Sequence, residues 1–307
     1  MRCFSNEVAF IGLGNMGRGM AVNLAKGGSN LHIFDVNQQN VDTVLNKTRD
    51  FKCTPMKSIQ EINENKNIKT VILMLPSSKE TISVIKSNEG ILKNLKEGSI
   101  IIDCTTGDMT VAKEMGKLLK DKKSTYVDAP VSGGVNGATN GTLTFMVGVD
   151  NNEISRVKDI LQPMGKNIFH CGETGLGLAA KICNNMMLAI SMIGLSETLE
   201  LGRRLGLDLK SFSSIINSSS GKSWASEVYN PVPKIMENVP SSNDYNGGFL
   251  VSLMLKDLKL AQEAKMNAKT HSPLGDKAFS VYDELAEKGF ADKDFSVVYK
   301  YLKESNR

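Results

Sequence analysis

Histidine, cysteine and long apolar runs are scarce in this 307-residue chain, and each scarcity removes a class of function. The only histidines, His32, His170 and His271, lie too far apart for the H-x-x-x-H and H-E-x-x-H spacings that hold zinc, so no metal site is expected. Cysteines stand at positions 3, 53, 104, 171 and 183 with no C-x-x-C pair, which fits free thiols in a reducing compartment and argues against a disulfide framework. The longest uncharged apolar-leaning run, 182–196, is short for a bilayer span and contains Asn184, Asn185 and Ser191, so no membrane partner is expected. Neither sign of charge dominates. With 37 basic and 33 acidic residues spread along the chain, no face is built for a phosphate backbone and nucleic acid is not an expected partner. Residues 1–6 are too few to carry a charged segment and an apolar signal core, so no targeting segment is visible.

What is present is a packed chain. Hydrophobic residues make up 41% and charged residues 23%, ordinary values for a globular protein, and the length fits two domains of about 150 residues each. In the first half, short apolar runs at 8–12, 31–34, 70–75, 99–103 and 125–128, with a weaker one at 51–53, alternate with helical stretches. Such alternation predicts a parallel sheet covered on both faces. A further strand at 143–147, flanked by Gly141 and Gly148, is expected to run antiparallel to its neighbours. From about Gly175 no strand signal remains and helical periodicity takes over, beginning with a helix over 176–205 some 45 Å long at about 1.5 Å per residue. The expected architecture is an α/β domain with a doubly wound, mostly parallel sheet, residues 1–170, followed by an all-α domain, 171–307. The stretch 218–248, rich in Ser, Asn, Pro and Gly, reads as a structureless lid or binding loop.

The chemistry-bearing motifs fall at strand ends. An apolar strand runs directly into Gly12-Leu13-Gly14-Asn15-Met16-Gly17 and a helix. Gly12 permits the tight turn, Gly14 lets backbone approach a pyrophosphate, and Gly17 lets helix and strand pack closely, while the helix amides face the phosphates. Asp35 ends the second strand 18 residues after Gly17, where a carboxylate accepts from a ribose 2′-hydroxyl and repels a 2′-phosphate. Val36, Asn37 and Gln38 supply no cation, so NAD is the expected cofactor; the competing reading makes Asp35 a cap of the helix starting near Asn37. Leu75-Pro76 and Thr105-Thr106, at two further strand ends, lie on the cofactor's expected path, with helix capping as the alternative for the threonines. The loop Asp128-Ala129-Pro130-Val131-Ser132-Gly133-Gly134 offers consecutive amides as a nest for a carboxylate. Lys181 opens the long helix with Asn185 one turn on, and a desolvated amine there would serve as general base toward an alcohol and general acid toward a carbonyl.

These motifs together resemble the beta-hydroxyacid dehydrogenase family, and within it the 3-hydroxyisobutyrate dehydrogenases, over essentially the whole chain. Phe10 to Gly17, Asp128 to Gly134, Gly177-Leu178-Ala179-Ala180-Lys181-Ile182-Cys183-Asn184-Asn185 and Lys256-Asp257-Leu258 carry the likeness, and Trp224 with Tyr229-Asn230-Pro231-Val232-Pro233 is similar to the 3-hydroxyisobutyrate branch. The resemblance implies a Rossmann domain, Lys181 as the catalytic lysine, and Asn185 as the residue that orients substrate. It further implies that Ser132, Gly133 and Gly134 hold the carboxylate, that Trp224 walls the substrate, and that Lys256 lies near the cofactor. Glu80 departs from the asparagine that relatives often carry near the cofactor. The implied reaction is oxidation of 3-hydroxyisobutyrate to methylmalonate semialdehyde in valine breakdown. The implied setting is the mitochondrial matrix, or the cytoplasm if no presequence is removed, with subunits joined through the helical domain as a dimer or tetramer. Reduction of glyoxylate, succinic or tartronate semialdehyde is the alternative within the family. Asn184 and Leu188 stand where 6-phosphogluconate dehydrogenases carry a histidine and an acid, and Lys181 argues against an inactive scaffold relative.

Overall fold

The computed structural model describes residues 7–305, so Cys3 and the short stretch 1–6 lie outside the described residues. Two compact units part within one long helix, the first ending at Lys181 and the second beginning at Ile182.

Among its described residues the first unit is built on nine strands: β1 (Glu7–Ile11), β2 (Asn30–Phe34), β3 (Cys53–Pro55), β4 (Thr70–Leu73), β5 (Ile100–Asp103), β6 (Thr125–Asp128), β7 (Val131–Ser132), β8 (Leu143–Gly148) and β9 (Gly165–Gly172). Their order is β3-β2-β1-β4-β5-β6-β8-β7, with β9 added to β8. From β3 to β6 every pairing is parallel, and β8 turns antiparallel to β6 and β7, as its sequence led us to expect. Seven helices connect or flank the strands: α1 (Gly17–Lys26), α2 (Gln38–Lys47), α3 (Gln60–Glu64), α4 (Ser78–Lys86), α5 (Met109–Asp121), α6 (Gly134–Asn140) and α7 (Ile154–Leu161). The sheet is buried on both faces, which is why its strands read as unbroken apolar runs. Val8 and Phe10 of β1 join one core with Ile72, Ile100 and Ile102, while Ala9 and Ile11 join the opposite core with Val71, Leu73 and Ile101. β9 was not foreseen: Gly165-Lys166-Asn167-Ile168-Phe169-His170-Cys171-Gly172 is largely polar and only half covered, and so carries no strand-like apolar run.

The second unit is helical. α8 (Leu176–Arg204) enters it, followed by α9 (Leu209–Asn217), α10 (Trp224–Val228), α11 (Val251–Ala268), α12 (Pro273–Leu285) and α13 (Val298–Ser305) around a core that includes Met192, Leu199, Met254, Tyr282 and Phe295. By length and composition α8 is long enough to cross a bilayer. Yet Lys181, Asn185, Ser196 and Glu200 along it are buried within the protein, and Glu200 accepts from Arg203 and Arg204, the pattern of a core helix. The stretch 218–248 is not the structureless loop expected from its composition. It contains α10 and a 3₁₀ turn at Pro240–Asn243, and buried polar groups knit it in. Asn230 donates to the Ser213 hydroxyl, Ser241 donates to the Asn230 carbonyl, and the Tyr245 hydroxyl donates to the Pro231 carbonyl.

Candidate functional site

The glycine turn after β1 has the shape of a phosphate cradle. Gly12 has φ +93°, and a Cβ there would stand 2.2 Å from the Met74 carbonyl oxygen; one at Gly17 would stand 1.9 Å from that of Gly12. Only glycine fits either place. At Gly14 an added Cβ would meet nothing within 4 Å, so this side of the turn is the open one, where backbone can approach a ligand. α1 follows Met16, which gives it no side-chain cap, and has no acid in its first turn, leaving its amides and positive dipole end available to an anion. Asn15 and Arg18 bond each other at 2.9 Å beside it. Asp35 is not the cap of α2, a place filled by Asn37. Its Oδ2 accepts from the Leu13 amide at 2.6 Å, and its Oδ1 from the Asn37 amide at 2.7 Å and Asn40 Nδ2 at 3.2 Å, so the carboxylate stands against the glycine turn itself. The residues present fit a dinucleotide: an open glycine cradle, an uncapped helix start, and an acid with lone pairs to spare at the ribose position.

The next strand ends are tied together. Thr105 Oγ1 accepts from the Leu75 amide at 3.0 Å, and beneath it Asp103, fully buried, accepts from the Thr105 amide, the Thr81 hydroxyl and the Tyr126 hydroxyl. Burial pushes the Asp103 carboxyl up, and these three donors oppose the shift. Neither Thr105 nor Thr106 caps α5, because Asp108 does. Pro76 is exposed beside them. Glu80 turns back to the Ser77 hydroxyl at 2.6 Å while Ser77 caps α4, and that hydroxyl holds the Glu80 carboxyl below its ordinary range. The departure at position 80 thus completes a helix cap.

Ser132 ends β7, and Gly133 and Gly134, at φ +130° and +61°, turn the chain into α6 with no side-chain cap at its start. The exposed glycine amides there suit a carboxylate. Just upstream, Asp128 is buried and receives two amides from the start of α8: Gly175 N at 2.6 Å on Oδ1 and Leu178 N at 2.8 Å on Oδ2. Burial raises its pKa to about 6. Lys181 lies one turn further along α8 and is 8% exposed.

In the second unit Asn185, 2% exposed, donates through Nδ2 to Asp257 Oδ2 at 2.5 Å and accepts from Asn184 Nδ2 at 3.1 Å. The charged acceptor fixes which way the amide points. Asp257 is a residue that sequence reasoning missed; an acid within Lys256-Asp257-Leu258, buried mid-helix, was its one available signal. Lys256 precedes it on α11. Trp224, half exposed, stacks on Tyr229 with centroids 4.9 Å apart, and the Tyr229 hydroxyl donates to Asp294 Oδ2 at 2.8 Å. Asp294 also accepts from the Phe249 amide and from the Ser296 amide and hydroxyl, and burial raises its pKa.

Comparison with known proteins extends the picture over the whole chain. Residues 7–172 match the family described as the NAD binding domain of 6-phosphogluconate dehydrogenase, and residues 175–302 the family described as NAD-binding of NADP-dependent 3-hydroxyisobutyrate dehydrogenase. The chain is 46% identical over 297 residues to the mitochondrial 3-hydroxyisobutyrate dehydrogenase of Rattus norvegicus, covering 97% of this chain and 87% of the relative. It is 42% identical over 294 residues to the NAD-dependent L-serine dehydrogenase of Pseudomonas aeruginosa, covering 96% and 97%. The solved structure of Mycobacterium tuberculosis 3-hydroxyisobutyrate dehydrogenase with L-serine matches with a TM-score of 0.88 at 35% identity, covering 97% of this chain and 99% of that one.

Proposed function

Since this chain belongs to the 3-hydroxyisobutyrate dehydrogenase family of NAD-dependent oxidoreductases, we propose that it oxidises 3-hydroxyisobutyrate to methylmalonate semialdehyde. The observation that carries the reading is a buried lysine, Lys181, on the same helix and one turn from the buried, acid-held Asn185. The glycine turn with Asp35 would hold NAD, and Leu75, Pro76, Thr106 and Lys256 are the further residues proposed to contact it. NAD, when bound there, would supply the hydride acceptor for oxidation of the hydroxyl-bearing carbon. Lys181 takes the hydroxyl proton as the carbonyl forms and returns it in the reverse direction, work that general acid–base groups accelerate by about 10²- to 10⁴-fold. Asn185, oriented by Asp257, hydrogen-bonds the reacting oxygen, and Ser132, Gly133 and Gly134 take the carboxylate.

A second reading is oxidation of L-serine, favoured by the Pseudomonas relative's name and by the Mycobacterium structure with that ligand. The two substrates share one skeleton and differ in a methyl against an ammonium. The stacked Trp224 and Tyr229 support the methyl, because an apolar wall loses nothing by desolvating it. Initial rates with NAD against 3-hydroxyisobutyrate, L-serine, D-glycerate, 4-hydroxybutyrate and 6-phosphogluconate test this. We expect kcat/KM for 3-hydroxyisobutyrate to lead by a factor of about ten or more, as a misfit methyl or unpaired polar group commonly costs. A lead for any other substrate would overturn the choice. The matrix is the proposed compartment, in keeping with the rat relative, and exposed Met187 and Leu201 on α8, with Leu205 just past its end, support a dimer or tetramer joined through the helical unit.

A further inference from the structure

An acid that takes no part in the chemistry stands behind the helix that carries Lys181. Asp128 closes β6, is 1% exposed, and divides its two oxygens between the amides of Gly175 and Leu178, 47 and 50 residues away. Leu178 is three residues before Lys181. The cap of α8 is therefore borrowed from a remote strand, while nearby Thr174 sends its hydroxyl to the Tyr126 carbonyl. Two glycines make the approach possible: a Cβ at Gly148 would lie 2.4 Å from Asp128 Oδ1, and one at Gly177 would lie 2.3 Å from the Met146 carbonyl oxygen and 2.8 Å from that of Asp128. The same acid lies four residues before Ser132, so one carboxylate joins the strand leading to the glycine nest with the first turn of the helix leading to the lysine.

We propose that Asp128 is a positioning residue for Lys181: its two hydrogen bonds set where the first turns of α8 sit on the end of β6, and hence where the lysine stands relative to the Ser132-Gly133-Gly134 loop. The proposal rests on the reading of Lys181 as the general acid–base group. The titratable groups facing Asp128 are Asp103 from β5, Tyr126 from β6 and Cys171 from β9. Burial raises the Asp128 pKa to about 6, and the two amide hydrogen bonds from Gly175 and Leu178 oppose that shift.

The test is a cycle of D128N, K181A and the double variant, with NADH affinity read by fluorescence. A misplacement of about 1 Å can cost 10²-fold in rate. We expect D128N to lower kcat about tenfold or more with NADH affinity unchanged within about twofold, and to change the residual rate of K181A by less than about twofold. Equal losses in both backgrounds, or an unchanged kcat in D128N, would overturn the proposal. Full turnover by K181A would instead overturn the reading on which it rests. Should D128N not fold, the wild-type enzyme decides through reduction of the semialdehyde, the direction in which acid does not disable the lysine. There kcat is expected to fall as pH drops through about 6 with NADH still bound, because protonation turns one Asp128 oxygen into a hydroxyl, a much weaker acceptor for the amide it holds. A flat profile down to pH 5 would overturn it.

Discussion

Asp35 does double duty at the end of β2. Its carboxylate steadies the Leu13 amide of the glycine turn and still has lone pairs for a ribose hydroxyl, while no arginine stands at 36–38 to welcome a 2′-phosphate. NAD should therefore be preferred over NADP, and D35A should narrow the preference while also weakening NAD binding, both readable by cofactor titration. Equal or better wild-type efficiency with NADP would contradict the assignment. Asp257 poses a similar question. Without it the Asn185 amide loses a charge-assisted partner, worth about 1.5–3 kcal/mol, so D257A should lower kcat/KM about 10- to 100-fold with NADH affinity retained. Such partners could not be read beforehand. Asn185 and Asp257 lie 72 residues apart, and Tyr229 and Asp294 lie 65 apart, so only the folded chain reveals which acid serves which polar group. The strict turn at Gly12 and Gly17 and the placement of Asp35 at the end of β2 were legible because they depend on local turn geometry or on position at an element's end.

At the scale of elements, the parallel strands announced themselves as apolar runs because both faces of the sheet are buried. β9 did not, being an outer strand attached only to β8 with polar residues along it, so its glycines read as a domain boundary. The stretch 218–248 misled for the opposite reason. Its polar residues look solvated, yet Asn230 and Ser241 are buried and bonded. That segment should behave as part of the helical core, and Y229F, which leaves Asp294 short of a donor, should cost about 1–3 kcal/mol in denaturant unfolding. Unchanged stability would restore the lid reading. α4 offers a contrast: S77A should cost about 0.5–2 kcal/mol through loss of the cap shared with Glu80, with little change in NAD affinity.

Over the whole molecule, two sets of carboxylates pull stability in opposite directions with pH. Asp103, Asp128 and Asp294 have raised pKa values from burial, so the folded state holds their protons more tightly than the unfolded chain, and stability is lost as pH rises through their folded values, near 6 for Asp128. Glu200 is held down to about 2 by Arg203 and Arg204, and its contribution is present above its unfolded value of 4.5 and lost as pH falls toward 2. The melting temperature should peak at about pH 4, between the unfolded values of 3.8 and 4.5, and decline on both sides, which scanning calorimetry from pH 2 to 8 will show. A steady rise from pH 5 to 7 would mean that the buried acids are already ionised at little cost.

Lys181 unites these scales, a buried residue one turn into α8 on a chain whose family membership and NAD dependence match what its motifs implied. The decisive measurement is turnover of 3-hydroxyisobutyrate with NAD by folded K181A, alongside NADH affinity by fluorescence. A loss of about 10²- to 10⁴-fold in kcat with affinity preserved is the predicted result. Wild-type kcat in the folded variant would show that the proton is carried elsewhere.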